Sequence, residues 1–492
     1  MSMIKVENLT FSYPSCYDNI FESVSFEIDT NWRLGFIGRN GRGKTTFLNL
    51  LLGKYEYSGR IISSVQFDYF PYTVANSKKD TYEVLSEVCP TAEDWELMRE
   101  LNLLEVDTEA LYRPFETLSN GEQTKVLLAG LFLNEGHFLL IDEPTNHLDI
   151  HAREIVCAYL KRKKGFILIS HDRSFLDGCV DHILSINKTN IEVMHGNFSS
   201  WEENKSRQDS MQAAANEKLK KEISRLTEAS KRNASWSEQV EKSKNGTTSS
   251  GSKLDKGFVG HKSAKMMKRA KVLEARQQAA VMQKSGLLQN TETADDLKIH
   301  PLDYRSDMLI SVSNMQVRYG QYAACSPISF ELHRGDRIAL DGRNGSGKSS
   351  ILKLIAGLPM EHTGDISIGG GLTISYAPQD TSHLHGGLSE YATQQRIDES
   401  LFKAILRKLG FERVQFEKDI ADFSSGQKKK VLIAGSLCVP AHLYIWDEPL
   451  NFIDIYSRMQ IEQLIVKYQP TMLFVEHDKA FRDNIATKIV KI

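Results

Sequence analysis

The stretch Gly38-Arg-Asn-Gly-Arg-Gly-Lys44-Thr45-Thr46 has the residue types needed to hold a polyphosphate. Its glycines let backbone N–H groups curl around phosphate oxygens. Its lysine reaches the outer phosphates, and its threonine hydroxyl can ligate Mg²⁺. The pattern GxxxxGK[ST] returns 304 positions later as Gly342-Arg-Asn-Gly-Ser-Gly-Lys348-Ser349-Ser350. One match could be a mere turn. Two, each between a strand-like and a helix-like run, predict two ATP cradles: Gly38, Asn40, Gly41, Gly43, Lys44, Thr45 and Thr46 for one, and Gly342, Asn344, Gly345, Gly347, Lys348, Ser349 and Ser350 for the other.

Three more matches follow in the same order. Leu118-Ser-Asn-Gly-Glu122 recurs as Phe423-Ser-Ser-Gly-Gln427 and Ile141-Asp-Glu-Pro144 as Trp446-Asp-Glu-Pro449, both at an offset of 305; Ser170-His-Asp172 recurs as Glu476-His-Asp478 at 306. A near-constant offset over four motifs means two copies of one domain. Asp142 and Asp447 end apolar runs, where a carboxylate can hold Mg²⁺ through water. Glu143 and Glu448 are then placed to polarise the attacking water as general bases. His171 and His477 each follow a β-rich run, which puts them at the same sheet edge as the phosphates. Ser119 with Gly121, and Ser424 with Gly426, open helices and offer a hydroxyl and N–H groups to an anion.

The elements that must position these groups alternate in type. Stretches 33–37, 138–141 and 165–169 read as buried strands, and 45–52, 121–133 and 151–161 as helices. Such alternation predicts an α/β domain around a largely parallel sheet.

Between the copies the composition changes. Residues 204–290 carry 19 Lys+Arg against 8 Asp+Glu, while the whole chain of 492 residues has a net charge of −2. A basic segment between two acidic bodies points to an anionic partner, or forms a solvated helical face. Leu219, Ile223 and Leu226 fall at helical spacing, as do Met266, Ala270, Leu273 and Val281 on the far side of a Gly- and Ser-rich centre. Two antiparallel helices with a tip near 245–260 are expected; a flexible charged linker is the other reading. The domain bounds expected are 1–203, 204–300 and 301–492.

Membrane and disulfide chemistry find little support. No apolar run approaches the roughly 18–20 residues that span a bilayer. The N-terminus lacks a signal peptide's long apolar core. Six scattered cysteines form no CxxC, which fits unpaired, mostly buried thiols in a reducing cytosol.

These motifs together resemble the ABC ATPase family, in which the Ser-x-Gly signature of one domain closes over the nucleotide of the other. The resemblance implies one site built from 38–46, Asp142, Glu143 and His171 with Ser424 and Gly426. The other would join 342–350, Gln379, Asp447, Glu448 and His477 with Ser119 and Gly121. Mg²⁺ would be held by Thr45 and Asp142, and by Ser349, Asp447 and Gln379. Tyr13 and Tyr319 resemble the adenine-stacking aromatic, or are ordinary core tyrosines. The first copy departs from the pattern: Tyr69-Phe-Pro-Tyr72 stands opposite Tyr376-Ala-Pro-Gln379, so Tyr72 supplies no amide oxygen. The second has Phe423 where Leu is usual and Leu450-Asn-Phe-Ile-Asp454 opposite Thr145-Asn-His-Leu-Asp149. Both glutamates are present, so both sites are expected to hydrolyse ATP, unequally.

Two such domains joined by a basic helical linker resemble the ABC-F family, which binds the ribosomal E site and points its linker at the peptidyl-transferase centre. The spans from Lys44 to Tyr72 and from Tyr72 to Ser119 leave no room for the arm that housekeeping members insert, and the chain ends 15 residues after His477. The resemblance is therefore to the Lsa-type resistance members, with lincosamides, pleuromutilins and streptogramin A as the drugs. It implies a cytoplasmic monomer whose halves sandwich ATP, with the 70S ribosome, its 23S rRNA and P-site tRNA as partners. Lys244, Lys253 and Lys256 of the tip would meet phosphates, and Phe258 would stack on a base or crowd a drug pocket, or pack the two helices together. A housekeeping factor of the same family and a transporter's ATPase subunit are the alternatives, with a duplex-end-binding repair protein further off.

Overall fold

A computed structural model describes residues 2–14, 19–146, 148–186, 191–242 and 297–492. The two halves, Met1–Trp201 and Ala294–Ile492, form one compact unit, and Glu202–Thr293 forms another.

In each half the continuous apolar runs become the centre of a parallel sheet. Phe166–Ile169 is buried at every position, as is Leu443–Asp447 in the second half, because helices cover both faces of such strands. The first sheet runs in the order Gln66–Phe70, His137–Asp142, Phe166–Ile169, Arg33–Gly38, His182–Ile186, Ile191–His195. Its first five strands are parallel, and the last pairs antiparallel. The second sheet runs Ile374–Ala377, Leu443–Asp447, Met472–Val475, Arg337–Asp341, Lys488–Lys491, parallel throughout. The order places the strand before each phosphate loop two places from the strand that ends in Asp-Glu, with the histidine-bearing strand between them. All three chemical groups thus leave one sheet edge, where ligands of open α/β sheets collect.

Each half adds an antiparallel sheet, with Met3–Phe11 between Phe21–Asp29 and Ser58–Ile62 in the first. In the second, Met308–Tyr319 pairs with Ile328–His333 and Glu361–Ile368. A helical layer, Thr81–Val88, Asp94–Leu103 and Asn120–Leu131, covers the other flank of the first half. Leu388–Gln394, Glu399–Lys408 and Ser425–Cys438 do the same in the second. The fold is two tandem α/β domains of one topology, as the resemblance to ABC ATPases implies. The second half's core reaches back to Leu297 and Ile299, both buried in it, so this half begins before the boundary at 301 that composition suggests.

Of the expected helical linker, the helix Phe198–Lys242 is described. The expected returning helix and the tip, with Lys244, Lys253, Lys256 and Phe258, lie outside the described residues. Among the described residues no helix is long and apolar enough to cross a membrane. The five described cysteines are free thiols, and all but Cys157 are buried.

Candidate functional site

Each phosphate loop turns on glycines that another residue could not replace. Gly43 and Gly347 have φ of 89° and 88°, and a Cβ there would lie 2.4 Å from Ile20 Cγ2 and 2.6 Å from the Ala324 carbonyl. A helix begins directly behind each loop, Lys44–Leu51 after Gly43 and Lys348–Ile355 after Gly347. Lys44 Nζ donates to the carbonyls of Gly38 at 2.7 Å and Arg39 at 3.3 Å, and Lys348 Nζ to those of Gly342 at 2.8 Å and Arg343 at 2.9 Å. Both ammonium groups are therefore held inside the loop.

The metal-ligating pairs assemble in both halves. Thr45 Oγ1 donates to Asp142 Oδ2 at 2.8 Å, and Ser349 Oγ to Asp447 Oδ1 at 3.0 Å. Asp447 Oδ2 is buried with no hydrogen-bond partner, an orphan that a hard cation would satisfy. Burial pushes the Asp447 carboxyl up to about 6. The donor set fits Mg²⁺, with Thr45 and Asp142 to hold it in one half and Ser349 and Asp447 in the other. An ion held there would neutralise negative charge on bound phosphates.

The glutamates differ. Both take a left-handed backbone, φ 52° at Glu143 and 47° at Glu448, strain of the kind kept at reacting sites. Glu448 accepts from Gln379 Nε2 and from Asn451 Nδ2, each at 2.8 Å, and meets His477 Nε2 at 3.1 Å. Burial pushes its carboxyl up, but the His477 contact, with Lys348 and Lys429, outweighs that and holds it below the ordinary range. Among the described residues Glu143 has no such clamp. His171 Nε2 is 3.3 Å from Glu143 Oε1 without hydrogen-bond alignment, and is bonded instead to Asn40 Oδ1 at 3.1 Å. Burial and the Asp142 carboxylate push Glu143 up to about 8. Burial and the Lys44 charge hold His171 well below its usual range, so its ring is neutral.

Each signature serine caps its helix in a reciprocal box, Ser119 with Glu122 and Ser424 with Gln427. Both lie against the opposite half's phosphate loop. A cavity of about 900 Å³ is walled by Ser119 and Gly121 together with Lys348, Ser349, Gln379, Glu448, His477 and Tyr319. Another of about 490 Å³ joins Ser424 and Gly426 to Lys44, Thr45, Asp142, Glu143, His171 and Tyr13. Across the smaller one, Asn40 Nδ2 donates to the Phe452 carbonyl at 3.0 Å. Tyr13 and Tyr319 tie their hydroxyls to Thr46 and Ser350, at 2.9 and 3.0 Å. Tyr319 keeps 56% of its surface exposed, a ring available for stacking. Tyr72 is exposed and does not line the first cavity.

Several residues around the sites escape motif reading. Lys429 Nζ donates to the Glu448 carbonyl at 3.0 Å, and Lys430 Nζ to Asp454 Oδ2 at 2.6 Å. Arg153 Nη1 bridges Asp172 Oδ2 at 2.8 Å and the His477 carbonyl of the other half at 3.0 Å. The lysine run in Ser425-Gly-Gln-Lys-Lys-Lys430 stands in the sequence, but only the fold shows that Lys429 and Lys430 are buried and what each meets.

Comparison with known proteins agrees with this geometry. The family model described as "ABC transporter" matches residues 21–146 and again 325–451. The chain is similar to the ribosome protection protein VmlR of Bacillus subtilis (strain 168), 27% identical over 485 residues that cover 96% of this chain and 84% of that protein. It is similar to ABC transporter F family member 2 of Arabidopsis thaliana, 26% identical over 553 residues that cover 100% of this chain and 76% of that protein. Among solved structures, the archaeal ribosome recycling factor aABCE1, crystallised with the ribosomal stalk protein aP1, superposes with a TM-score of 0.64 at 19% identity. The match covers 98% of this chain and 87% of that chain, and it shows the shared fold.

Proposed function

The chain belongs to the ABC transporter family, as an ABC-F ATPase with two tandem cassettes, and on that premise we propose that it is a ribosome-protection factor of the Lsa type. In this reading it binds the 70S ribosome at the E site in its ATP-closed form, in the cytoplasm. Its linker shields the peptidyl-transferase centre from lincosamides, pleuromutilins and streptogramin A, next to 23S rRNA and P-site tRNA. Hydrolysis then opens the sandwich and releases it.

One observation carries the reading: each signature serine already lies in the cavity of the opposite phosphate loop. The two halves therefore share two composite sites. Nucleotide γ-phosphate would pull each signature helix onto the facing loop, and only a partner that prefers the closed form gains from that shift. Glu448 takes the water's proton, His477 and Gln379 orient that glutamate, and Lys348 with the loop N–H groups stabilises charge on the phosphoryl oxygens. Glu143 and Lys44 stand at the corresponding places of the first site, where His171 holds Asn40 rather than the glutamate. The likeness to VmlR across nearly the whole chain supports the ribosome as partner.

The test is the double substitution Glu143→Gln with Glu448→Gln in cells and in sucrose gradients. Closed protein should co-sediment with 70S particles when ATP is present, and growth should slow. Protein that stays at the top of the gradient under those conditions defeats the ribosome assignment. A second reading, a translation factor of the same family without a drug role, is kept because the chain is nearly as similar to a plant F-family member whose name carries no drug role. Deleting residues 245–260 separates the two, because resistance should vanish with ATPase activity kept only if the tip serves protection.

A further inference from the structure

The two halves differ at one pair of touching positions beside the chemistry. In the first half Thr145 faces Ser170, with their hydroxyl oxygens 3.3 Å apart. In the second half both residues change: Leu450 stands for the threonine and Glu476 for the serine. Leucine has no hydroxyl, and Glu476 Oε1 instead accepts the backbone N–H of Leu450 at 2.8 Å. Glu476 is only 5% exposed. Burying a carboxyl there is costly unless a fixed donor meets it.

That N–H begins the loop Leu450-Asn-Phe-Ile-Asp454. The far end of the loop is fixed by Asp454, which accepts from Lys430 Nζ at 2.6 Å and from the Ser457 N–H at 3.0 Å. Between these anchors Phe452 has φ 65°, a strained value for an aromatic residue. The Phe452 carbonyl accepts Asn40 Nδ2 of the first phosphate loop at 3.0 Å. The same carbonyl would lie 2.4 Å from a Cβ at Gly426. Asn40 Oδ1 continues the contact to His171 Nε2 at 3.1 Å and Lys44 Nζ at 3.5 Å.

Resting on the reading of the cavities as composite ATP sites, we propose that Glu476 is a positioning residue that couples the second site to the first. It stands one residue before His477, which holds Glu448, and it sets the start of the loop whose middle holds Asn40. A shift at the Glu448–His477 edge therefore moves Leu450, then Phe452, then the cradle around Lys44. Among the described residues, Ser170 in the first half meets the Thr145 hydroxyl and the Asp172 N–H, so the grip on the loop's first N–H is a feature of the Glu476 position.

The experiment uses the full-length protein with Mg²⁺ and 8-azido-ATP, with photolabelled peptides assigned to each half by mass spectrometry. Glu476→Ser, which restores the first half's residue, should lower labelling at the first phosphate loop about tenfold, the worth of one buried hydrogen bond. Labelling at the second loop should stay within about twofold. Glu476→Gln keeps an acceptor oxygen and should label like the unaltered protein. Glu476→Asp, one methylene shorter, replaces the serine variant if that one is unstable. Asn40→Ala should reproduce the first-loop loss and add nothing to Glu476→Ser. Equal losses at both loops, no loss at either, failure of Gln to rescue, or additive effects with Asn40→Ala would each overturn the coupling. An unaltered protein that labels at neither loop would instead overturn the composite-site reading itself.

Discussion

The guanidinium of Arg153, in the first half, donates to the carbonyl oxygen of His477, in the second, at 3.0 Å. The same nitrogen holds Asp172 Oδ2 at 2.8 Å, and the other edge reaches the Thr145 carbonyl at 3.1 Å. One side chain thus ties the first half's histidine-bearing loop to that of the second. Arg153→Met would strand the buried Asp172 carboxylate and lower stability by about 3 kcal/mol, the lower end for breaking a buried ion pair. Thermal melts should show the loss, and Arg153→Lys should not restore it, because an ammonium cannot span three acceptors in one plane. A lysine variant with the original melting temperature would contradict this account.

The catalytic glutamates should contribute unequally. Glu448 is oriented by three side chains and held ionised, whereas Glu143 is unclamped and raised to about 8. Glu448→Gln is therefore expected to cut ATP turnover at least about a hundredfold, the low end of what a positioned base supplies. Glu143→Gln should leave more than about half of it, since that site's base is largely protonated near neutrality. Phosphate release at saturating ATP measures both. Matching losses would mean that the two sites fire together.

What could be seen in the sequence was whatever depends on local pattern. The phosphate loops, the Asp-Glu strand ends and the serine caps are short motifs whose chemistry is set within a few residues, and the repeat fixed their correspondence. Arg153, Lys429 and Lys430 were not visible, because each acts through a partner 19 to 324 positions away. A basic residue on an amphipathic helix reads as solvated until a buried acceptor is known. Glu476 was visible as a mismatch with Ser170, but its meaning required the paired change of Thr145 to Leu450. The second half's early start at Leu297 was hidden because a few apolar residues after a charged stretch carry no period.

Gly426 should tolerate no side chain. A Cβ there would lie 2.4 Å from the Phe452 carbonyl and 3.0 Å from Asn40 Nδ2, so it meets backbone on one side and the opposite phosphate loop on the other. Gly426→Ala is expected to hold the smaller cavity open and raise the ATP concentration for half-maximal turnover about tenfold, equivalent to about 1.4 kcal/mol. The helix Ser425–Cys438 itself should gain slightly, because alanine is the better helix former. A melting temperature that holds while ATP affinity falls is the signature to look for; a fall in both would place the damage in folding.

Glu476 also gives stability a pH dependence whose sign can be worked out. Burial pushes its carboxyl from 4.5 up to about 7, against the pull of Arg458 and the Leu450 N–H and with the repulsion of Glu448 and Asp478. Lys429 is the further cation that feels this carboxylate. Between pH 4.5 and about 7 the folded protein keeps a proton that the unfolded chain has released. Stability therefore falls as pH rises through that window and levels off above it. Glu476→Gln removes the titration, so the variant should match the unaltered protein near pH 4.5 and gain on it toward pH 7. The gap above pH 7 should approach about 3 kcal/mol, from the size of the shift. Paired melts at pH 5, 6, 7 and 8, as about unit steps across the window, would show a difference that grows and then stays constant; a difference that is flat or reversed across those buffers would mean that Glu476 is ionised in the fold throughout.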